Sequence, residues 1–459
     1  MYQIDFNHPI SVYFIGIGGI SMSGLAEILL SRGFRVSGSD MKKSELTATL
    51  EAQGAVIHYG QCTANISDDI DLVVYTAAIH PDNPEWIAMK EKNIENLTRA
   101  QLLGEIMQNF EIPIAVSGTH GKTTTTSMIS EILLQADADP TLSIGGILKS
   151  IQGNIRIGGS KYFVTESCEY TNSFLNLFPK IALILNIEED HLDFFKDIND
   201  IRNSFHRFAC LLPADGTLII NHEIDNLTEI TDQIACPYIT YGFTDDCDYY
   251  ASDITYDELA HASFTLHHKG MEDISLSLNI PGRHNVSNAV AAFAFADIAG
   301  IDHSIITLAL HSFAGTDRRF EKKGEIGGIT IIDDYAHHPT EITATLNAAR
   351  NYPHKTLWCV FQPHTYTRTK AFFHDFVKAL SLADKVILAD IYAAREKDTL
   401  GISSRDLQEE ISKLGKDCYY FPTFDEIENF ILENCTQGDL LITMGAGDIV
   451  KVGESLLGK

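Results

Sequence analysis

Two rhythms alternate along the chain. Short apolar runs rich in Val and Ile, suited to strands buried on both faces, are followed by segments of helical period almost throughout, the pattern of parallel α/β layers. Three blocks separate on this basis. In the first, a strand at residues 11–15 leads through a glycine-rich turn into a helix ending near Arg32, with further strands at 34–36 and 72–75. The second opens with a strand at 112–116, where Pro113 suits a first strand position, and passes through another glycine loop into a helix at 122–135. Compact runs at 162–165 and 181–185 predict buried strands, Pro281-Gly282 precedes a helix at 285–299, and the stretch 217–278 reads as hairpins. The third block begins around Asp317-Arg318-Arg319-Phe320, with strands near 329–332, 356–361, 385–388 and 440–443. The expected fold class is α/β in three domains, 1–109, 110–316 and 317–459, which suits 459 residues at roughly 100–200 per domain.

Composition narrows the chemistry. A hydrophobic fraction of 45% with 21% charged residues excludes a largely disordered chain. The formal net charge of −28 repels a phosphate backbone, so no nucleic acid is expected as partner. An anionic small ligand must then be held locally, by helix N-termini, a few placed cations and metal ions. The eight cysteines form no Cys-x-x-Cys pair, which argues against a zinc knuckle or a disulfide framework. No apolar segment reaches about 18 residues, so no membrane association is expected and the cytoplasm is the expected location.

Gly118-Thr119-His120-Gly121-Lys122-Thr123-Thr124 joins a strand to a helix, where successive backbone N–H groups and the helix N-terminus converge on phosphate oxygens. Lys122 can neutralise the β and γ phosphates of ATP and the Thr123 hydroxyl can ligate Mg2+. Val116 stands where the strict pattern places glycine, so the loop is a variant. Glu166 and His191 lie at or beyond the carboxyl ends of two strands of the same block and can face that nucleotide; the carboxylate is the more natural Mg2+ ligand. Asn285 and Asn288, three apart on one helix face, can read an adenine edge, and Asn285 serves equally well as a helix cap.

The earlier turn, Gly16-x-Gly18-x-x-Ser21, has serine at the third position of the dinucleotide fingerprint. Alone it fits a nicotinamide-dependent dehydrogenase as well as a nucleotide-sugar site, and Asp40 after the next strand could serve a ribose in either. In the third block Pro339 suits the first turn of a helix whose N-terminus points toward an anion, bringing Tyr335 and His337 near the chemistry. Arg368 offers a planar cation for a carboxylate.

Taken in order, the two glycine turns, Glu188-Glu189-Asp190-His191-Leu192-Asp193, Gly282 to Asn288, Arg318-Arg319-Phe320, Asp333-Asp334-Tyr335-Ala336-His337-His338-Pro339 and Phe361-Gln362-Pro363-His364 resemble the Mur ligase family over essentially the whole chain. The resemblance implies an N-terminal Rossmann-like UDP-binding domain, a central P-loop ATPase domain with a mostly parallel sheet and a Rossmann-like closing domain. It also implies an amide formed between UDP-N-acetylmuramate and L-alanine through an acyl phosphate, with ATP and Mg2+, in peptidoglycan precursor synthesis. On this resemblance Gly118 to Thr124 hold ATP, Thr123, Glu166 and His191 surround Mg2+, and His284, Asn285, Asn288 and Arg319 complete the ATP site. Gly16, Gly18, Gly19, Ser21, Met22 and Asp40 take the UDP-sugar, with backbone amides on its diphosphate; Tyr335, His337 and Arg368 take the amino acid; and Lys122, His191, His337 and Arg368 carry the chemistry. Two departures stand out. Phe205 occupies the place where several cousins carry a carbamylated lysine, and Glu166-Ser167-Cys168-Glu169-Tyr170 replaces a more acidic stretch, leaving the role of Glu169 open.

Overall fold

Each block folds around a sheet of its own. In the computed structural model, which describes residues 2–76, 78–270, 272–394 and 396–459, the first sheet runs Val56–Tyr59, Arg35–Asp40, Ser11–Ile15, Leu72–Tyr75, Glu95–Thr98 in space, with every pair parallel. The chain moves outward from Ser11–Ile15 to one edge and then returns to its other side. That reversal opens a crevice at the carboxyl end of Ser11–Ile15, where the first glycine turn lies. The strand expected at 34–36 extends to Asp40, because Tyr13 to Ile15 pair with Ser37 to Ser39 and carry polar residues into the ladder.

The second sheet contains ten strands among the described residues: Ile274–Pro281, His261–His268, Tyr249–Tyr256, Tyr238–Gly242, Thr217–Asn221, Ile181–Ile184, Ile112–Ser117, Tyr162–Ser167, Thr141–Leu148 and Gly153–Arg156. The stretch 217–278 is not all hairpins. Thr217–Asn221 and Tyr238–Gly242 continue the parallel sheet, and only the strands from Tyr249 to Pro281 form an antiparallel meander. The helix between the first two, Thr228–Thr231, is a single turn and too short to leave a helical period in the sequence. The third sheet runs Glu321–Ile326, Ile329–Asp334, Leu440–Met444, Leu357–Phe361, Lys385–Leu388, Asp417–Tyr420 and is parallel except at its first strand.

The apolar cores do not divide as the sheets do. One continuous cluster runs from Val12, Leu29 and Met107 of the first block into Phe163, Phe174, Phe205 and Phe208 of the second. Across this seam the Phe110 and Phe163 rings lie 4.9 Å apart. The helix Arg99–Met107, started by a Thr98/Gln101 capping box, presses Gly104 against the Asn176 carbonyl. The third block fills both faces of its sheet with residues from Phe320 onward. Among the described residues, no apolar cluster joins it to the first 316, and polar contacts make that second seam.

Candidate active site

The phosphate loop turns from Ile112–Ser117 into the helix Lys122–Gln135. Gly121 has φ +83°, and a Cβ there would come within 2.7 Å of Asn288 Oδ1, so both conformation and space call for glycine. Asn186, just past Ile181–Ile184, clamps the loop by accepting the His120 N–H at 2.7 Å and donating to the His120 carbonyl at 3.0 Å. Lys122 Nζ donates to the Gly118 carbonyl at 2.5 Å, the Thr119 carbonyl at 3.1 Å and Glu169 Oε2 at 3.0 Å. Burial works against the ammonium, but the Glu169 carboxylate outweighs it and raises the Lys122 pKa. Glu169, left open by the sequence, is thus the buried counter-ion of Lys122.

Thr123 Oγ1 donates to Glu166 Oε2 at 3.0 Å, and the Gly145 N–H donates to Glu166 Oε1 at 2.6 Å. Burial raises the Glu166 pKa, and among the described residues this carboxylate makes no ion pair. A buried carboxylate beside a hydroxyl at the start of a phosphate-binding helix is an oxygen donor set that fits Mg2+. His191 adopts φ +54°, stacks on Tyr170 at 4.5 Å and points Nε2 toward Glu169 Oε1 and Asp190 Oδ2 at 3.9 and 3.8 Å. Phe205 is fully buried, edge-on to Phe174 at 5.3 Å, so this position belongs to the core.

Lys122, Thr123, Glu166, His191, Arg319, Tyr335 and His337 line one cavity of about 400 Å³ that spans the second and third blocks. An adjoining cavity of about 330 Å³ is lined by Thr124, His284, Asn285, Asn288, Arg319 and Phe243. Here Asn285 Nδ2 donates to the Pro281 carbonyl at 2.7 Å and Asn288 Nδ2 to Asn285 Oδ1 at 3.1 Å, so one pair of carboxamides stabilises the helix entry and lines the cavity together. Arg283 covers the Phe243 ring at 4.2 Å, an aromatic contribution that the sequence reading missed. Burial lowers the pKa of both His284 and His337 to about 4, which keeps both imidazoles neutral.

The third block reaches the loop through carboxylates. Glu341, in the first turn of Pro339–Arg350, meets His120 Nδ1 at 3.1 Å, and Thr340 Oγ1 donates to Glu188 Oε2 at 2.6 Å. Burial alone would lower the His120 pKa, but Glu341 and Glu188 outweigh it and raise it to about 9. Arg318 Nε donates to Asp333 at 3.0 Å, while Arg318 and Arg319 lie over the Tyr335 ring at 4.7 and 5.4 Å. Arg368, expected to face an amino acid carboxylate, instead donates to Asp190 Oδ1 from Nη2 at 2.8 Å and from Nε at 3.1 Å. Asp190 is the nearer match for its fork in this arrangement; burial raises the Asp190 pKa, but Arg368 and His191 outweigh it and hold the carboxyl well below the usual range.

The first glycine turn differs from the expectation of free amides. Gly16 N–H donates to the Ser39 carbonyl at 2.9 Å, Gly19 N–H to the Gly16 carbonyl at 3.3 Å and Gly18 N–H to Asp40 Oδ2 at 2.9 Å. Asp40 therefore closes the turn, and Met22 is buried in the core. Ser21 faces a third cavity, about 320 Å³, which also contains Arg99, Ser143, Cys168 and Glu166. Arg99 Nη1 donates to Ser21 Oγ at 3.1 Å, and among the described residues Arg99 has no carboxylate partner. Its only trace in the sequence is a cation just after Thr98, at the start of a helix that follows a short strand.

Comparison with known proteins accounts for all three blocks. Residues 11–111 match the Mur ligase family catalytic domain, 116–296 the Mur ligase middle domain and 318–447 the Mur ligase glutamate ligase domain. The chain is 60% identical over 459 residues to a UDP-N-acetylmuramate–L-alanine ligase of Agathobacter rectalis, and 59% identical over 458 residues to one from Lachnospira eligens, each match covering 100% of both chains. Among solved structures, it is similar to a UDP-N-acetylmuramate-alanine ligase of Thermotoga maritima, with a TM-score of 0.81 at 29% identity over 98% of each chain. A murein peptide ligase of Psychrobacter arcticus follows at TM-score 0.70 and 27% identity, again over 98% of each chain. Identity of this extent over the full length leaves no block outside the assignment, and the chain belongs to the Mur ligase family.

Proposed function

We propose that this protein is an ATP-dependent ligase that joins L-alanine to UDP-N-acetylmuramate by an amide bond, an early step of peptidoglycan precursor synthesis in the cytoplasm. The observation that carries this reading is the position of Glu166. It lines both the cavity shared with Lys122, Tyr335 and His337 and the cavity that contains Ser21 and Arg99, so a phosphate site, an acid site and an amine site meet at one carboxylate. In this reading 1–109 binds the UDP-sugar, with Arg99 as a cation for its anionic part, 110–316 binds ATP and 317–459 closes over both.

The uncatalysed condensation is slow because a carboxylate is a poor electrophile. Its oxygen attacks the γ-phosphorus, ADP leaves, and the resulting acyl phosphate accepts the amine and releases phosphate. Lys122 sits where it can neutralise the transferring group, a fixed charge worth about 3–4 kcal/mol of barrier. Thr123, Glu166 and His191 would hold Mg2+, which supplies further charge neutralisation at the phosphate oxygens. His337, neutral and fixed by the contact of Nδ1 with the Tyr335 carbonyl at 3.0 Å, offers Nε2 as acceptor for an amine proton. Arg368 reaches an amino acid carboxylate by exchanging it for Asp190.

The test is to incubate the protein with UDP-N-acetylmuramate, Mg-ATP and single amino acids, and to follow phosphate release and product mass. L-Alanine should give a nucleotide-sugar heavier by one alanyl residue. ATP consumption with no gain in nucleotide-sugar mass would refute the reading, and a gain only with a tripeptide amine would assign the recycling activity instead.

A further inference from the structure

A second cluster of ligating side chains lies on the other side of the phosphate loop from Thr123 and Glu166. His120, Glu188 and His338 each bring one ligand atom within 4.8 Å of the others, and they come from the loop, the end of the central parallel sheet and the cap of the helix Pro339–Arg350. His120 Nε2 is buried without a hydrogen-bond partner, and Glu188 Oε2 stands off from it at 3.5 Å. Bonds of about 2 Å to a tetrahedral ion place neighbouring ligand atoms roughly 3.3 Å apart, so this spacing leaves room for an ion between them.

The surrounding contacts prepare the nitrogens. His120 Nδ1 is held by Glu341 Oε1 at 3.1 Å, the carboxylate–histidine arrangement that fixes a metal-binding tautomer with Nε2 as the lone-pair atom. His338 Nε2 donates to the Glu189 carbonyl at 3.1 Å, which leaves Nδ1 as its lone-pair nitrogen. It serves as the helix N-cap, accepting from the Thr340 N–H at 3.4 Å and within the capping box from the Glu341 N–H, and an ion there would take over that lone pair. An outer cavity of about 430 Å³ lined by Glu188, His338 and Thr340 provides an entry path and room for a water as fourth ligand. Two imidazoles and one carboxylate favour a borderline transition ion over Mg2+, which prefers oxygen ligands.

We infer that His120, Glu188 and His338 form a Zn2+-class site, distinct from the Thr123–Glu166 donor set but adjoining the nucleotide cavity, that fastens the phosphate loop to the third domain. Bound there, the ion replaces the proton that His120 otherwise shares with its two carboxylates. It also ties His338 of the third block to His120 and Glu188 of the second, a link that domain opening must break.

The experiment uses the whole chain, stripped with a chelator and titrated with Co2+ alone in excess Mg2+. One equivalent should bind with a visible d–d band and be displaced by Zn2+, and X-ray absorption at the cobalt edge should read two imidazoles. His338→Gln and Glu188→Gln should each weaken that equivalent by at least about tenfold. His222→Gln, at the surface His222–Asp246–Cys247 cluster, should leave it intact. The proposal is overturned if no Co2+ is taken up, if either folded variant keeps full affinity, or if His222→Gln removes it. Should both variants fail to fold, the absorption spectrum of the unaltered protein decides, and fewer than two imidazoles overturns the assignment. None of these readouts depends on catalysis.

Discussion

Replacing Lys122 with alanine should damage the protein in two separable ways. The ammonium is enclosed, with two carbonyls and the Glu169 carboxylate as acceptors, and the Glu169 side chain is only 3% exposed. Removing the cation leaves that carboxylate without its partner. Breaking a buried pair from one side costs about 3–5 kcal/mol, and because the Lys122 side chain retains 17% exposure the low end applies, about 3 kcal/mol. In a domain of this size that lowers the melting transition by about 6–12 °C. Independently, losing the fixed charge should slow turnover by about two to three decades. The double variant Lys122→Ala/Glu169→Gln separates the two, since glutamine keeps the volume and discards the stranded charge. Thermal melts followed by circular dichroism should recover to within about 1 kcal/mol of wild type, while phosphate release stays at the single-variant level. Turnover at the wild-type rate in Lys122→Ala with saturating ATP, or activity that returns together with stability in the double variant, would refute this reasoning.

Arg368→Ala should raise the alanine requirement far more than the ATP requirement, read as separate KM values; equal changes would remove Arg368 from the amine site. For His120, the folded pKa of about 9 lies above the ordinary 6.5, so its contribution is complete below pH 6.5 and is lost as pH rises to about 9. At most about 3 kcal/mol is involved, and the melting difference between wild type and His120→Gln should shrink over that window; a difference that grows with pH contradicts the assignment. Gly104→Ala should destabilise the seam between the first two blocks by about 1–3 kcal/mol, because the new Cβ would fall 1.9 Å from the Asn176 carbonyl oxygen. A melting temperature unchanged from wild type would mean that this contact relaxes freely.

The parallel core was legible in the sequence because doubly buried strands such as Ile181–Ile184 and Leu357–Phe361 are continuous apolar runs. Strands held by pairing rather than composition were not, as Ser37 to Asp40 and Asp417–Tyr420 illustrate. At the site, Lys122, Thr123 and Glu166 could be read from position at strand ends, which constrains a side chain strongly. Glu341 and Glu188 could not, because each gains its meaning only from His120, Glu341 across a domain boundary and Glu188 within the second block, and no local pattern records a partner 221 or 68 residues away. Arg99 escaped for a related reason: a lone cation after a short strand is common, and it is the missing counter-ion that distinguishes it.

The unequal seams have a mechanical consequence. Sliding the first block over the second would uncover aromatic surface at about 25 cal/mol for every Å², whereas parting the third block mostly trades a few charged and polar contacts for water, at about 1.5–3 kcal/mol per bond to a charged group. The molecule should therefore hinge at one place only, near residue 317. On the proposed reading, a nucleotide-sugar held by the first block would dock against a surface that stays still, while nucleotide and amine would come and go through the gap that opens.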